Sequence, residues 1–175
     1  MLTFAIESLE RCWNEIMVVA SQHWHETEGF RRGEVFCPSF ERYIQCEKIG
    51  FFLMFTARDG EKLAGYAGMY VTQSMHSQAV ISVEDQWFLL PEYRKGRNAL
   101  AFVKYVEGEL AGRGVTAMQM SAKISNGIGK ILAYLDYEPV SVVYFKSIGR
   151  ADSAQVPVTA VMERSDVRSE STAPA

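Results

Sequence analysis

Three cations and one glycine fall within four residues at Arg94, Lys95, Gly96 and Arg97. An apolar run closed by Pro91 precedes them, and a helical period follows from Asn98. Such a turn at the start of a helix leaves backbone N–H groups without intrahelical partners, and the helix dipole adds partial positive charge. Phosphate is the usual ligand of this arrangement. Gly96 lets an anion approach the backbone with no Cβ in the way, and Arg94, Lys95 and Arg97 supply side-chain charge. A solvated charged turn is the plain alternative.

Acid–base candidates lie upstream. Glu84 and Asp85 are neighbours in a strand-like run, and neighbours on a regular strand point to opposite faces, so one of the two faces a given cleft. Either is a candidate acid–base group, as is His76, in the polar loop before that run, by the ordinary behaviour of histidine near neutral pH. His23, His25 and Glu26 close the first helical stretch. Histidines at i and i+2 leave a helix on different faces, so no metal site is expected. His25 and Glu26 are instead expected to hold a cationic substrate, the alternative being histidines that favour a helix C-terminus. Cys12, Cys37 and Cys46 have neither CxxC spacing nor a base beside them, so neither a disulfide framework nor a thiol nucleophile is expected. Met118 and Met120 read as core.

The periodicity places these residues. Leu2–Ile6 is a short apolar start. Leu9, Trp13, Ile16, Met17, Ala20 and Trp24 recur at spacings of three and four, a helix with Ser8 as N-cap and Gly29 as stop. A second helix fits Pro38–Lys48. Residues 51–58 and 63–71 form a hairpin about the turn Asp59-Gly60. A strand over 79–90 ends at Pro91; a helix runs to Gly112 and Gly114; a strand over 115–124, a helix over 126–135 and a strand over 140–148 follow. Residues 1–150 form the domain, and 151–175 are a tail with one edge strand, Val156–Met162, at most. A strand–helix–strand crossover beside a hairpin requires a mixed sheet. The fold class is therefore α/β (α+β), a central mixed, mostly antiparallel sheet with helices on both faces.

The chain has 175 residues, 48% hydrophobic and 22% charged, which fits one globular domain. No apolar run reaches the ~20 residues of a membrane span, and the start lacks a basic n-region, so a cytoplasmic protein is expected. A net charge of -3 argues against nucleic acid as the partner.

Residues 89–96, Leu-Leu-Pro-Glu-Tyr-Arg-Lys-Gly, and 135–140, Leu-Asp-Tyr-Glu-Pro-Val, together with the hairpin Asp59-Gly60 and the run from Leu63 to Tyr66, resemble the GNAT superfamily of N-acetyltransferases. The likeness covers roughly residues 51–148, and the layout is similar to the short members encoded by tailed bacteriophages. It implies a GNAT-like fold and transfer of an acetyl group from acetyl-CoA to a primary amine of a small molecule or protein. The pyrophosphate would sit on Arg94, Lys95, Gly96, Arg97, Asn98 and Ala99, and the pantetheine between strands 79–90 and 115–124. A backbone N–H at Phe88, Leu89 or Leu90 would polarise the thioester, and Glu84, where the family's strand carboxylates often act as base, is the preferred acceptor of the amine's proton.

Two positions depart from the family. Counted from Gly96, its Gln/Arg-x-x-Gly-x-Gly/Ala turn begins at Tyr93 and ends at Asn98; alternatively Arg94 and Ala99 are the ends of a loop one residue shorter. The tyrosine that protonates the leaving thiolate falls on Leu132, with Tyr134 nearby as the candidate acid. The resemblance also implies a possible homodimer, a host-cytoplasmic setting if phage-encoded, and, as the alternative function, a catalytically degenerate phage protein acting as a virion component or host-modulating binder.

Overall fold

The computed structural model describes residues 1–29, 31, 34–124 and 127–148. Met1–Val140 is one compact unit, and 141–175 is a second, described through 148.

Unit one is built on a five-stranded sheet in the order β1-β2-β3-β4-β5. The strands are β1 (Thr3–Ile6), β2 (Phe52–Asp59), β3 (Lys62–Gln73), β4 (Val80–Leu89) and β5 (Ala117–Gln119). The first three pairings are antiparallel and β4–β5 is parallel. The mixed sheet is therefore as the periodicity predicts, with the hairpin about Asp59-Gly60 at its centre.

Helices cover both faces. α1 (Leu9–Thr27) and α2 (Phe40–Lys48) pack on one, where Leu9, Cys12, Ile16, Val19, Ile44, Phe52, Tyr66 and Phe88 are buried together. α3 (Asn98–Gly112) and α4 (Ile128–Tyr134) lie on the other, over Phe55, Ala67, Met69, Trp87, Leu89, Phe102, Val103 and Val106. The alternation of β3 and β4 residues between these two cores is the strand period at work.

Several expectations shift. Ser8 is the N-cap of α1, but its side chain makes no cap bond; Glu47 Oε1 on α2 accepts from Leu9 N at 2.9 Å instead. β5 is three residues long where 115–124 was expected, its ladder with β4 ending at Val83–Gln119 while β4 stays paired with β3 through Leu89. A 3₁₀ turn, Pro91–Tyr93, joins β4 to the loop before α3. Residues 140–148, expected as a strand, form no regular element, and Val142, Val143, Tyr144 and Ile148 are exposed. β-branched composition favours a strand only where a neighbour supplies the ladder. The expected edge strand at 156–162, the tail and Asn126 lie outside the described residues.

Candidate functional site

The two parallel strands make a fork. β4 and β5 pair through Ile81–Ala117, Ser82–Met118 and Val83–Gln119 and then part. Leu90 N donates to Ala64 O of β3 at 2.9 Å. By strand alternation Phe88 also faces β3, and Trp87 and Leu89 turn their peptide groups toward the side β5 has left. There the Leu89 carbonyl accepts from Arg94 Nε at 2.8 Å. The Leu89 N–H points into the gap, the kind of donor that can stabilise charge on a carbonyl oxygen. Glu84 sits at the root of the fork, where its Oε2 accepts from Ser121 N at 3.0 Å. Burial holds its carboxyl above the usual range against the pull of the Ser121 bonds.

Beyond the fork the chain enters the cationic turn. Gly96 has φ +70, and no atom lies within 4 Å of where a Cβ would stand. This is left-handed backbone that glycine adopts without strain. α3 begins at Asn98 with Arg97 as N-cap and no side-chain cap bond. The N–H groups of its first turn are thus left for an external acceptor. Asn98 Nδ2 donates to Tyr93 O at 3.0 Å and fixes the turn.

Arg94 is engaged differently from the other cations. Its guanidinium meets Glu26 through two bonds of 2.7 Å and lies 4.8 Å from the centre of the Phe88 ring. The residue expected to hold phosphate and the one expected to hold a cationic substrate therefore neutralise each other. Lys95 and Arg97 are exposed and form no ion pair among the described residues.

Acidic and phenolic groups gather on the α1/α2 face. Gly68 pairs with Gln86 and Met69 with Glu84, so Asp85 has no opposite number: it is the extra residue of a β-bulge. The bulge turns Asp85 toward α2, where its Oδ2 accepts from Tyr43 OH at 2.8 Å, and Tyr70 adds a second hydroxyl bond. The residue as a whole is exposed, yet its carboxyl is largely screened from water, and burial raises its pKa against those two bonds. Tyr70 is pushed up to about 12 by burial and by the Asp85 charge. Beside them His23 Nδ1 meets Tyr66 OH at 2.9 Å, and the His23 ring stacks on Phe88 at 4.5 Å. Burial lowers His23 to about 4, so the imidazole is neutral.

The remaining candidates scatter. His76 is exposed in its loop, and His25 is exposed on α1. Tyr134 is 71% exposed at the end of α4, while Leu132 is buried. Tyr137 donates to Glu107 Oε1 at 2.8 Å. Met118 and Met120 pack against the α3-side core. Asp85, with Tyr43 and Tyr70, is the group sequence spacing passed over. The acidic pair was its one visible signal; the bulge that separates its members was not.

No protein-family model and no curated protein sequence matches the chain. Solved structures do match the fold. An aminoglycoside acetyltransferase from an uncultured soil metagenomic sample, in complex with sisomicin, superposes with a TM-score of 0.67 at 12% identity over 85% of this chain and 97% of that one. A ribosomal-protein-alanine N-acetyltransferase from Brucella melitensis biovar Abortus 2308 does so at 0.67 and 15% identity, over 85% and 99%. A predicted acetyltransferase with acetyl-CoA from Clostridium acetobutylicum gives 0.62 at 8% identity, over 85% and 97%. The chain thus has the α/β, GNAT-like fold of acetyltransferases.

Proposed function

We propose that the chain is an acetyl-CoA-dependent N-acetyltransferase acting on a primary amine of a small molecule or protein. The observation that carries this reading is the fork: a strand turns the Leu89 N–H into a gap and runs directly into a glycine turn and an uncapped helix start. Those groups fit the cofactor's two polar ends. The first-turn N–H groups of α3, Gly96, Lys95 and Arg97 would hold the phosphates, with Asn98 and Ala99 shaping the turn. The arms of β4 and β5 would hold the pantetheine. Acetyl-CoA supplies the activated acyl thioester.

The chain's own residues do the rest. Leu89 N–H donates to the acyl carbonyl oxygen. Asp85 takes the proton from the acceptor ammonium, the role first given to Glu84. Its carboxyl sits on the bulge, burial raises its pKa, and the Tyr43 and Tyr70 hydroxyls orient it. Glu84 pins the fork through Ser121. Tyr134, at the exposed end of α4, is the candidate donor to the leaving thiolate. The neutralised Glu26 and the exposed His76 and His25 have no part in this reading of the chemistry.

Calorimetric titration with acetyl-CoA tests the reading, followed by thiol release across an amine panel. Binding in the wild type and at least tenfold loss in Gly96→Glu support it; no binding in a folded wild type overturns it. Turnover reduced about a hundredfold in Asp85→Asn, with acetyl-CoA affinity retained, places the base. Leu132, buried where the family resemblance implies a tyrosine, favours a second reading: a degenerate, cofactor-binding protein. Binding without thiol release on any amine is its signature.

A further inference from the structure

We infer that the last turn of α1 is a brace across the fork, and that this brace sets the size of acyl group the fork admits. The inference rests on the acyl-CoA reading of the site. Glu26 lies in the last turn of α1, and Glu28 is the C-cap. Two residues apart on a helix is ~200° of rotation, so the two carboxylates leave on opposite flanks. They reach different arms. Glu26 grips Arg94 with two bonds of 2.7 Å, and Arg94 Nε in turn holds the Leu89 carbonyl at 2.8 Å, the end of the β4 arm. Glu28 Oε1 meets Lys123 Nζ at 2.5 Å, on the chain leaving β5. Its other oxygen is backed by Arg31 Nε at 2.6 Å.

His23 makes the third contact. It stacks on Phe88 of the β4 arm and bonds Tyr66 of β3. Past the last ladder pair, Val83–Gln119, Glu84 Oε2 links the arms directly by accepting from Ser121 N. The Glu26–Arg94 and Glu28–Lys123 contacts join the two arms through α1. Their strength is above that of ordinary surface pairs: the Glu28 side chain is only 15% exposed, and the Glu26–Arg94 pair is bidentate.

The consequence is steric. An acetyl group needs no movement of α1. A long acyl chain must displace the helix end and break charge-assisted bonds on one arm or both. Glu26, Glu28, Arg94 and Lys123 are positioning residues: they shape the space without touching the reacting atoms.

The test is calorimetry with free CoA, acetyl-CoA, butyryl-CoA and octanoyl-CoA on the full chain. Wild type is expected to bind octanoyl-CoA at least tenfold more weakly than acetyl-CoA. Lys123→Met and Glu28→Gln are expected to reduce that ratio about tenfold while acetyl-CoA affinity changes less than about threefold. Lys123→Arg, which keeps the charge, is expected to keep the ratio. Equal loss for all four ligands in Lys123→Met would mean a structural contact and no size filter, and would overturn the brace. So would a wild type that binds CoA and all three thioesters alike. A folded wild type that binds neither CoA nor any thioester overturns the acyl-CoA reading itself, and the filter with it.

Discussion

Replacing His23 with phenylalanine keeps the ring that stacks on Phe88 and removes the titrating nitrogen. In the folded chain burial lowers His23 from 6.5 to about 4; Glu28 and Glu26 pull it up less strongly, and Lys123 and Arg94 push it down. The folded pKa is the depressed one. Between pH 6.5 and 4 the unfolded chain therefore binds the proton that the folded chain refuses, and stability falls as the medium is acidified. Each unit is worth 1.36 kcal/mol, so the full window carries about 3 kcal/mol. The wild type is expected to be the more stable at pH 7, where the variant leaves Tyr66 OH without its 2.9 Å partner, at a cost of roughly 1–3 kcal/mol. That advantage should be lost by pH 4 and reverse sign. Urea midpoints at pH 4, 5, 6 and 7 for both proteins, converted with their m-values, give the difference curve. A flat difference across that range would refute the reasoning: His23 would then titrate alike folded and unfolded, and could not be the buried neutral imidazole placed between α1 and β4.

Two further changes probe the scaffold of the site. A Cβ on Gly65 would fall on the Phe88 carbonyl oxygen and 2.5 Å from Leu89 Cδ2, on backbone that cannot step aside alone. Gly65→Ala is expected to cost about 2 kcal/mol, a fall of about 5 °C in Tm by calorimetry, and to weaken acetyl-CoA binding; an unchanged Tm would show β3 and β4 free to separate there. Arg58 bonds Glu7 at 2.6 and 3.1 Å and Glu15 at 2.9 and 3.0 Å. Arg58→Met removes the close cation of the Glu7 carboxylate, 9% exposed, and leaves it Arg11 at 4.0 Å. A loss of about 3 kcal/mol at pH 7 is expected in urea melts. Arg58 holds Glu7 below its ordinary 4.5, so this stabilisation is present above pH 4.5 and lost as pH falls further. A gap that widens on acidification would contradict it.

Much of the architecture was legible along the chain. Helical spacing from Leu9 to Trp24, the Asp59-Gly60 hairpin and Pro91 as a strand stop are local signals, each fixed by neighbours within a few residues. The cationic turn was legible for the same reason, since Gly96 and the start of α3 are adjacent in sequence. The strand expected at 140–148 was misread because propensity is local and a ladder is not.

By itself the sequence determined which elements form, and that one turn concentrates positive charge before a helix. Only the tertiary structure decided what that charge meets. Arg94 and Glu26 are 68 residues apart in sequence and pair at 2.7 Å, which no spacing rule anticipates. The different surroundings of Glu84 and Asp85 were likewise set by folding. One extra residue opposite Gly68 and Met69 breaks the alternation of β4 and turns Asp85 to the tyrosines of another helix and strand. Local periods follow from backbone geometry within a few residues, whereas ion pairs and bulges depend on register between distant segments, which is settled only when their apolar faces pack.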